Sequence, residues 1–250
     1  MLEEDWWRTF FEHPDALPLS LFPGPEATRH EVQGVIRLCG LGPGAGVLDL
    51  CCGPGRHLAG LSGAGCRVVG LDYATHMLRL ARRRPAVRQG RAALVRGEAQ
   101  RLPFRDEAFD AVVCLFNSFG YMDSDEENAA LLAEAARCLR PQGVLLLETR
   151  SKAHQLAYVP CEVLMPAADR RTTRLRCEYD PERRRLVSAW FSVPEGQELH
   201  TATIRLYETE ELEALCQEAG LRILRTCSTY DGQPFTGAER QLIVLATRAA

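Results

Sequence analysis

The chain has 250 residues, which suffice for one large α/β domain, alone or with a small appendage. Its 46% apolar and 25% charged residues are typical of a globular protein, and the net charge of −3 disfavours nucleic acid as the main partner. No apolar run approaches the roughly 20 residues that span a bilayer. Because Glu3, Glu4 and Asp5 are the opposite of a cationic signal-peptide start, we expect a cytoplasmic protein without a membrane partner.

The ten cysteines are scattered, mostly among apolar positions. They form no C-x-x-C pair and no Cys/His cluster at zinc spacing, so we expect no metal site. Cysteines of this kind are typical of small buried hydrophobic side chains in a reducing compartment.

The first predicted helix, Glu4–Phe11, is rich in aromatic residues. Its spacing puts Trp7, Phe10 and Phe11 on one face. A loop marked by four prolines follows, and a second helix is predicted over Glu26–Cys39. The aromatic helix has two interpretations, which are a lid that closes on a ligand or a helix packed on the core.

From residue 46 to residue 149 the pattern alternates between strand and helix. Such alternation with short connections predicts a parallel sheet covered by helices on both faces. The predicted strands are Gly46–Cys51, Cys66–Leu71, Ala92–Arg96, Ala108–Phe116 and Val144–Thr149, and the predicted helices are Arg56–Leu61, Ala74–Arg84 and Asp125–Leu139.

After Arg150 the pattern changes to alternating apolar and polar residues, which predicts antiparallel strands. These strands are Glu162–Pro166, Thr172–Tyr179, Arg184–Val193 and Glu198–Leu206, and they are followed by a helix at Thr209–Ala219 and strands at Leu221–Thr229 and Arg240–Thr247. We therefore predict an N-terminal helical segment (1–40), an α/β core with seven strands (41–150 and 208–250) and an inserted antiparallel β unit (151–207).

The segment Val47–His57 carries the most informative motif, an apolar strand that ends in a glycine-containing turn and opens a helix. Glycines in such a turn let a ligand approach the backbone, and the helix start offers free N–H donors. The segment does not match the dinucleotide-binding motif, because Leu58 occupies the place of the third glycine. It does not match a Walker phosphate loop either, because no G-K-[ST] follows.

This segment resembles motif I of class I S-adenosylmethionine-dependent methyltransferases, acidic-x-Gly-x-Gly-x-Gly. Asp49, Gly53 and Gly55 match, whereas Cys51 replaces the first glycine. The resemblance implies a Rossmann-like fold, S-adenosyl-L-methionine as cofactor and S-adenosyl-L-homocysteine as product. It also implies that His57 lies near the carboxylate of the methyl donor.

A second part of the resemblance is the strand end Val68–Asp72. In the family an acid at this position accepts hydrogen bonds from both ribose hydroxyls, which implies that role for Asp72. Asp72 is also suited to cap the helix that begins at Ala74, and the two roles are compatible. Tyr73 and Met77, just after the acid, are assigned to the cofactor site with it.

A third and a fourth part follow the next two strands. Arg96–Phe104 resembles the segment that meets adenine, with candidates Glu98, Ala99 and Gln100, although a polar surface loop explains this pattern as well. Cys114–Tyr121 resembles the N/T-S-F-G-Y stretch of a small-molecule-type subgroup, which implies cofactor contacts from Phe116 and Asn117.

Residues that follow strands at the carboxyl edge of the sheet are candidates to meet the methyl acceptor. The candidates for catalysis are Tyr121, His200, Tyr230 and Asp231, with His154 as a further polar neighbour. A structural role is the competing interpretation of each, since a tyrosine in a loop is usually a packing residue.

The function predicted is methyl transfer to a small-molecule acceptor. Runs of arginine at Arg82–Arg84, Arg170–Arg176 and Arg183–Arg185 leave open an RNA or protein acceptor, although they are also typical of solvated faces and no N-P-P-Y motif accompanies them. A protein that binds the donor without catalysis is the third alternative. The sequence leaves open whether the chain is a monomer or a homodimer.

Overall fold

The structure is a computed structural model that describes residues 5–13, 21–166 and 172–249. The prolines predicted to form a loop at positions 14 and 18, and the start of the arginine run at Arg170, lie outside these residues. The helices are α1 Trp7–Phe10, α2 Pro25–Leu38, α3 Leu58–Gly63, α4 Thr75–Arg82, α5 Pro85–Arg88, α6 Asp125–Cys138, α7 Lys152–Tyr158 and α8 Thr209–Glu218. The strands are β1 Gly46–Leu50, β2 Arg67–Asp72, β3 Ala92–Arg96, β4 Phe109–Cys114, β5 Leu139–Arg150, β6 Cys161–Pro166, β7 Thr172–Asp180, β8 Arg185–Ser192, β9 Glu198–Arg205, β10 Leu221–Cys227 and β11 Gln241–Arg248.

Seven strands form the central sheet in the order β10-β11-β5-β4-β1-β2-β3. Neighbouring strands from β5 to β3 pair in parallel, whereas β11 is antiparallel to both β5 and β10. This architecture confirms the predicted Rossmann-like, mostly parallel sheet. The strand order changes direction at β1, where β4 and β2 flank it, and ligands in open α/β sheets bind at such a point.

The central sheet is buried on both faces, so β1 is covered along its whole length. On one face Leu48 and Leu50 pack with the apolar side chains of α6 and α8. On the other face Val47 packs with α2 and α3, including Val35 and Leu61. Burial of these side chains, at about 25 cal/mol per Å², is the main stabilisation of the fold.

The helix predicted over Ala74–Arg84 is divided in the structure. α4 ends at Arg82, and Arg84 is extended before Pro85, which begins the short helix α5. A proline disfavours the helical conformation of the residue before it, which explains the break. β5 also begins earlier than predicted, directly after α6, and shows a register irregularity opposite Phe109/Ala111.

The inserted sheet is antiparallel, in the order β6-β7-β8-β9, as predicted. Arg205 on β9 joins it to the core through Asp125 on α6 (3.1 Å) and Glu211 on α8 (2.6 Å). The Arg205 side chain is only 3% exposed. The Tyr207 hydroxyl donates to the same Asp125 at 2.7 Å. The inserted sheet is therefore held against the core by buried polar contacts.

The N-terminal segment (residues 5–13) lies against both the core and the inserted sheet. Trp6, Trp7 and Phe10 are buried, each with 5% of its surface exposed. The Glu12 carboxylate accepts hydrogen bonds from the backbone N–H groups of Thr75 (2.7 Å) and His76 (2.9 Å) at the start of α4. A carboxylate at this position is favourable because a helix N-terminus carries unpaired N–H donors and partial positive charge.

Among the described residues, no helix combines the length and hydrophobicity needed to cross a membrane. Nor do these residues place three or more His, Cys, Asp or Glu side chains around one point where a metal ion would bind.

Candidate active site

A cavity of about 690 Å³ lies at the carboxyl ends of the central strands, beneath the N-terminal segment and the inserted sheet. Its core side consists of residues from the carboxyl ends of β1 and β2, from α4 and from the loops that follow β1 to β4, among them Asp49, Cys51, Cys52, Gly53, Asp72, Tyr73, Met77, Ala99, Phe116, Asn117 and Tyr121. Its insertion side consists of residues from β5, α7 and the inserted sheet, among them Arg150, Gln155, Leu175, Cys177, Leu186, Ser188, Trp190 and Thr203.

The turn after β1 has a left-handed backbone at three residues, with φ of 58° at Cys51, 53° at Gly53 and 70° at Gly55. A Cβ atom at position 55 would lie 2.9 Å from Leu58 Cδ1, whereas no atom lies within 4 Å of one at position 53. Gly55 is therefore required by packing, and Gly53 leaves open space beside the cavity. Cys51 adopts the left-handed conformation as a non-glycine residue, which costs about 1 kcal/mol or more.

Asp72, at the end of β2, has both carboxylate oxygens in backbone hydrogen bonds. Oδ2 accepts from Gly53 N–H at 2.7 Å, and Oδ1 accepts from Ala74 N–H at 2.9 Å. Burial raises the pKa of Asp72 to about 6, with the Asp49 charge adding to the rise and the two amides opposing it. Each oxygen keeps a further lone pair for a ligand hydroxyl.

Asp49 lies deep in the cavity wall with 1% of its surface exposed. Its Oδ2 has no hydrogen-bond partner within the described part of the chain. Burial raises the pKa of Asp49, and the neighbouring His57 and Arg56 oppose the rise. An unpartnered carboxylate oxygen in a cavity is a costly arrangement that a cationic ligand group would relieve.

Glu31 on α2 links the two residues that follow the turn. It accepts from Arg56 at 2.8 Å and is hydrogen-bonded to His57 Nε2 at 2.9 Å. Burial opposes ionisation of Glu31, but these two partners outweigh it and hold its pKa below the ordinary value. The guanidinium of Arg56 also lies 5.1 Å from the centre of the Phe116 ring. The sequence patterns predicted only a helix over Glu26–Cys39 here and did not indicate this role of Glu31.

The part of the cavity nearest β3 is apolar. Met77 and Ala99 are buried, and Tyr73 packs edge-on against Trp7 at 5.0 Å. The structure does not bring Glu98 and Gln100 into this wall. The Glu98 carboxylate instead pairs with Arg8 at 2.7 Å, and the Gln100 amide contacts the Met122 sulfur at 2.7 Å.

The loop after β4 enters the cavity through two consecutive left-handed residues, Phe116 (φ 59°) and Asn117 (φ 60°). The Phe116 N–H donates to Glu148 Oε2 at 2.8 Å, and the Tyr230 hydroxyl donates to the same oxygen at 2.6 Å. A Cβ at position 34 of α2 would lie 2.5 Å from Tyr230 Cβ, so Gly34 allows this close packing. Tyr230 thus holds Glu148 in place, and Glu148 in turn fixes the backbone of the loop.

Tyr121 reaches the cavity at the junction of its two sides. Its ring packs on Trp6 (5.1 Å) and Phe11 (5.6 Å). Burial raises the pKa of Tyr121, so its hydroxyl remains protonated at neutral pH. Arg185 of β8 donates to the backbone carbonyls of Gly120, Tyr121 and Met122, and these bonds position the loop that carries Tyr121.

The other acceptor-site candidates lie elsewhere. Asp231 is exposed and pairs with His30 (2.9 Å) and Arg37 (2.8 Å) on α2, so the packing of α2 holds it away from the cavity wall. His200 packs on Phe10 and His13 beside the N-terminal segment. His154 contacts the carbonyl of Ala238 at 3.3 Å and stacks on Tyr158.

The insertion side contains polar residues that the sequence patterns did not indicate. Arg150 lies at the end of β5 and Gln155 on α7, and both line the cavity. Their position follows from the fold of the insertion over the carboxyl edge of the sheet, which local sequence does not encode. Only the period change after Arg150 marks this boundary in the sequence.

The residues that line the core side of the cavity fit S-adenosylmethionine. The carboxylate of Asp72 suits a sugar diol, and the unpartnered oxygen of Asp49 suits an ammonium group. The apolar wall near Met77 and Ala99 suits a purine, and the space at Gly53 admits the chain between them. A mostly parallel sheet of this order with such a site at its carboxyl edge is typical of class I S-adenosylmethionine-dependent methyltransferases.

Comparison with known proteins agrees with this class. Residues 47–143 match the family described as "Methyltransferase domain". The cypemycin N-terminal methyltransferase of Streptomyces sp is 28% identical over 220 residues, which are 82% of this chain and 84% of that protein. Among solved structures, the CcbJ methyltransferase from Streptomyces caelestis gives a TM-score of 0.80 over 97% of this chain and 98% of its own, at 20% identity.

A further solved structure is that of CalS10 with S-adenosylmethionine bound, an amino pentose methyltransferase from Micromonospora echinaspora. It gives a TM-score of 0.66 over 92% of this chain and 93% of its own, at 24% identity. Together with the motif and the site, this match assigns residues 47–143 to a methyltransferase domain.

Proposed function

We propose that the chain transfers a methyl group from S-adenosylmethionine to a small-molecule acceptor bound between the core and the inserted sheet. The observation that carries this proposal is that one continuous cavity of about 690 Å³ extends from the turn after β1 to the inserted sheet. A volume in this range is typical of a small-molecule site. The name of one structural relative, an amino pentose methyltransferase, supports an acceptor of limited size.

In this proposal the core side of the cavity binds the cofactor. Asp72 accepts from the ribose hydroxyls, and Asp49 accepts from the ammonium of the methionine end. Phe116 and Asn117 contact the cofactor from the loop after β4. The remaining cofactor contacts come from Cys51 and Gly53 in the turn after β1, from His57, and from the wall beside β3, which comprises Tyr73, Met77 and Ala99. Gly55 lets this turn pack against Leu58 and does not line the cavity.

When bound, the cofactor supplies a methyl group already activated on a sulfonium. The chain contributes alignment of the acceptor, which is worth about 7–11 kcal/mol in well-oriented reactions. The aromatic side chains of the N-terminal segment exclude water from the cavity. Because burial keeps Tyr121 protonated, its hydroxyl is suited to donate a hydrogen bond to the acceptor and unsuited to remove a proton.

An RNA or protein acceptor is less well supported, because the arginines of two runs have structural partners. Arg84 donates to the carbonyl of Pro54 at 2.9 Å. Arg184 pairs with Asp125 and Glu211, and Arg185 is buried with 6% of its surface exposed. Side chains engaged in this way are not available to phosphates. A binding protein without catalysis is distinguished from the enzyme only by turnover.

The test combines binding and turnover. Calorimetry with S-adenosylhomocysteine should show one site per chain. Incubation of the enzyme with methyl-labelled cofactor and a metabolite extract should then place label in the low-mass fraction. Label confined to the protein or RNA fraction of the extract would contradict a small-molecule acceptor, and binding without any transfer would favour the non-catalytic alternative.

We also propose the division into residues 1–40, the core (41–150 and 208–250) and the insertion (151–207), in which the insertion provides most of the acceptor contacts.

None of the ten cysteines, all within the described residues, forms a disulfide. Free thiols support a reducing, cytoplasmic location for the enzyme.

A further inference from the structure

Arg150 occupies a defined place on the insertion side of the cavity. It is the last residue of β5, at the carboxyl edge of the sheet, and it pairs in register with Gln241, which also lines the cavity. Burial raises the pKa values of both Tyr121 and Cys177, and in each case the charge of Arg150 opposes the rise. Arg150, Tyr121 and Cys177 line the same cavity, between the loop after β4 and the inserted sheet.

The hydrogen-bonding capacity of Arg150 is largely unused. Its Nε is buried and has no partner among the described residues. Its one hydrogen bond there, from Nη1 to Gln155 Oε1, is long at 3.4 Å, and no carboxylate from that part of the chain forms an ion pair with it. Glu148, two residues earlier on the same face of β5, is already engaged by Tyr230 and Phe116.

Three other arginines of this region differ in that respect, although Arg174 on β7 also has a buried Nε without a partner among the described residues. Arg185 donates to four backbone carbonyls and to the Thr203 hydroxyl, and Arg205 pairs with two carboxylates. Arg56 pairs with Glu31. These arginines have structural partners, whereas Arg150 is directed at a cavity. A buried guanidinium donor without a partner is costly unless a ligand supplies the acceptor.

The surroundings of Arg150 indicate what kind of ligand would accept its free hydrogen bonds. Arg240 also lines the cavity, so positive charge is present on both β5 and the residue before β11. The rest of this wall is mostly apolar, including Leu175, Leu186 and Trp190, with Ser188 as a small polar neighbour. An acceptor that matches this wall has an apolar body and one anionic end.

We propose that Arg150 binds an anionic oxygen group of the methyl acceptor, a carboxylate or a phosphate ester, and thereby selects acidic acceptors. This inference rests on the proposed function, since it names the substrate class of the same cavity. Arg150 acts as a specificity-determining residue. A planar guanidinium with paired donors is well suited to either group.

The test uses the full chain saturated with S-adenosylhomocysteine, titrated calorimetrically with phenylacetate, phenyl phosphate and the neutral phenylacetamide. The anionic probes should bind about tenfold more tightly than the amide or better, the ratio expected of a charge-assisted hydrogen bond. The anion that binds more tightly shows whether the acceptor group is a carboxylate or a phosphate ester. Arg150→Gln should abolish the preference without changing the affinity for phenylacetamide, and Arg150→Lys should retain part of it.

Arg176→Gln is the matched control, because Arg176 lies on the inserted sheet, is exposed and pairs with Glu178. This variant should keep the wild-type preference. Equal affinities for all three probes, absence of binding by any of them, or a preference that survives Arg150→Gln and disappears in Arg240→Gln would overturn the assignment. Failure to bind S-adenosylhomocysteine at the first step would overturn the proposed function instead, so the two failures are distinguishable.

Discussion

At the scale of single residues, the cofactor site depends on carboxylates whose ionisation is costly. Asp72 and Asp49 lie beside the same turn, and burial raises the pKa of both. A ligand that offers hydroxyl or ammonium donors stabilises the ionised forms. Cofactor affinity is therefore expected to depend on pH in the range where Asp72 titrates, near its pKa of about 6.

We predict that Asp72→Asn weakens binding of S-adenosylhomocysteine by about 10- to 100-fold, since charge-assisted hydrogen bonds of about 1.5–3 kcal/mol are lost. In the wild type, affinity should fall by about tenfold between pH 7.5 and pH 5, because below a pKa of about 6 binding must first release a proton. Calorimetry across this range measures both effects.

The control for this pH dependence is the variant itself, whose affinity should be almost flat over the same range. Any slope that persists in Asp72→Asn and disappears in Asp49→Asn belongs to Asp49. A wild-type affinity that does not change between pH 5 and pH 7.5 would contradict a ligand contact to ionised Asp72.

Residues differ in how far their place is predictable from sequence. Asp72 is predictable because an acid at the end of an apolar strand, followed by a helix, is a local pattern. Glu31 and Arg150 are not, since their neighbours come from α3 and from the inserted sheet, far away along the chain. For Asp231 the local pattern was misleading. Because it follows a strand, it was expected at the cavity, whereas ion pairs with Arg37 and His30 of α2 hold it away from the cavity wall.

At the scale of elements, the N-terminal segment is the cover of the cofactor side. Aromatic spacing put Trp7, Phe10 and Phe11 on one face, whereas the structure buries Trp6, Trp7 and Phe10 and leaves Phe11 half-buried. All four side chains line the cavity. The sequence did not predict its attachment to α4 through Glu12. A contact between a carboxylate and the start of a helix 63 residues away has no local signature.

We predict that Glu12→Ala raises the Kd of S-adenosylhomocysteine by about three- to tenfold, since loss of a helix-capping side chain costs about 1 kcal/mol and the closed segment covers the cavity. Calorimetry measures the affinity, and limited proteolysis measures the protection of residues 5–13 by the ligand. Circular dichroism should show an unchanged fold.

Glu126→Ala is the control for this element, because Glu126 is an exposed carboxylate in the first turn of α6 and does not line the cavity. Truncation of the first 20 or so residues should likewise weaken binding while the core stays folded. An unfolded core after either change would show that the segment is part of the core and does not act as a lid.

At the scale of the whole molecule, the inserted sheet is anchored to the core by few but well-buried contacts. Arg205 is the central one, since it joins β9 to both α6 and α8. Asp125 and Glu211 are about a third exposed, at 34% and 29%, so solvent weakens each pair. Removal of Arg205 takes one donor from each of these carboxylates, although Arg184 still pairs with both, and takes the Arg205 donor from the carbonyl of Leu206.

We predict that Arg205→Met lowers the free energy of unfolding by about 2 kcal/mol, which corresponds to a fall in Tm of about 4–8 °C for a chain of this size. Thermal unfolding followed by circular dichroism measures the shift. Arg176→Met, at an exposed ion pair on the same sheet, should leave Tm within about 1 °C. Equal melting temperatures for the two variants would show that the inserted sheet does not depend on the Arg205 contacts.

The antiparallel strands and their approximate bounds were predictable from alternation of apolar and polar residues. Their position over the carboxyl edge was not, because it depends on Arg185 and Arg205, whose partners lie on α6, α8 and the loop after β4. Sequence periodicity defines an element, whereas the orientation between two elements follows from contacts between residues distant in the chain.

The two sides of the cavity come from different stretches of chain, and this separation has a consequence for how relatives diverge. Side chains of β7 and β8 that face the cavity, such as Leu175 and Ser188, can be exchanged over generations without disturbing the turn after β1. The anchors Arg185 and Arg205 must be retained through such exchange, since they keep the sheet over the core. Recognition of the molecule to be modified can thus drift rapidly while recognition of the common methyl donor stays constant.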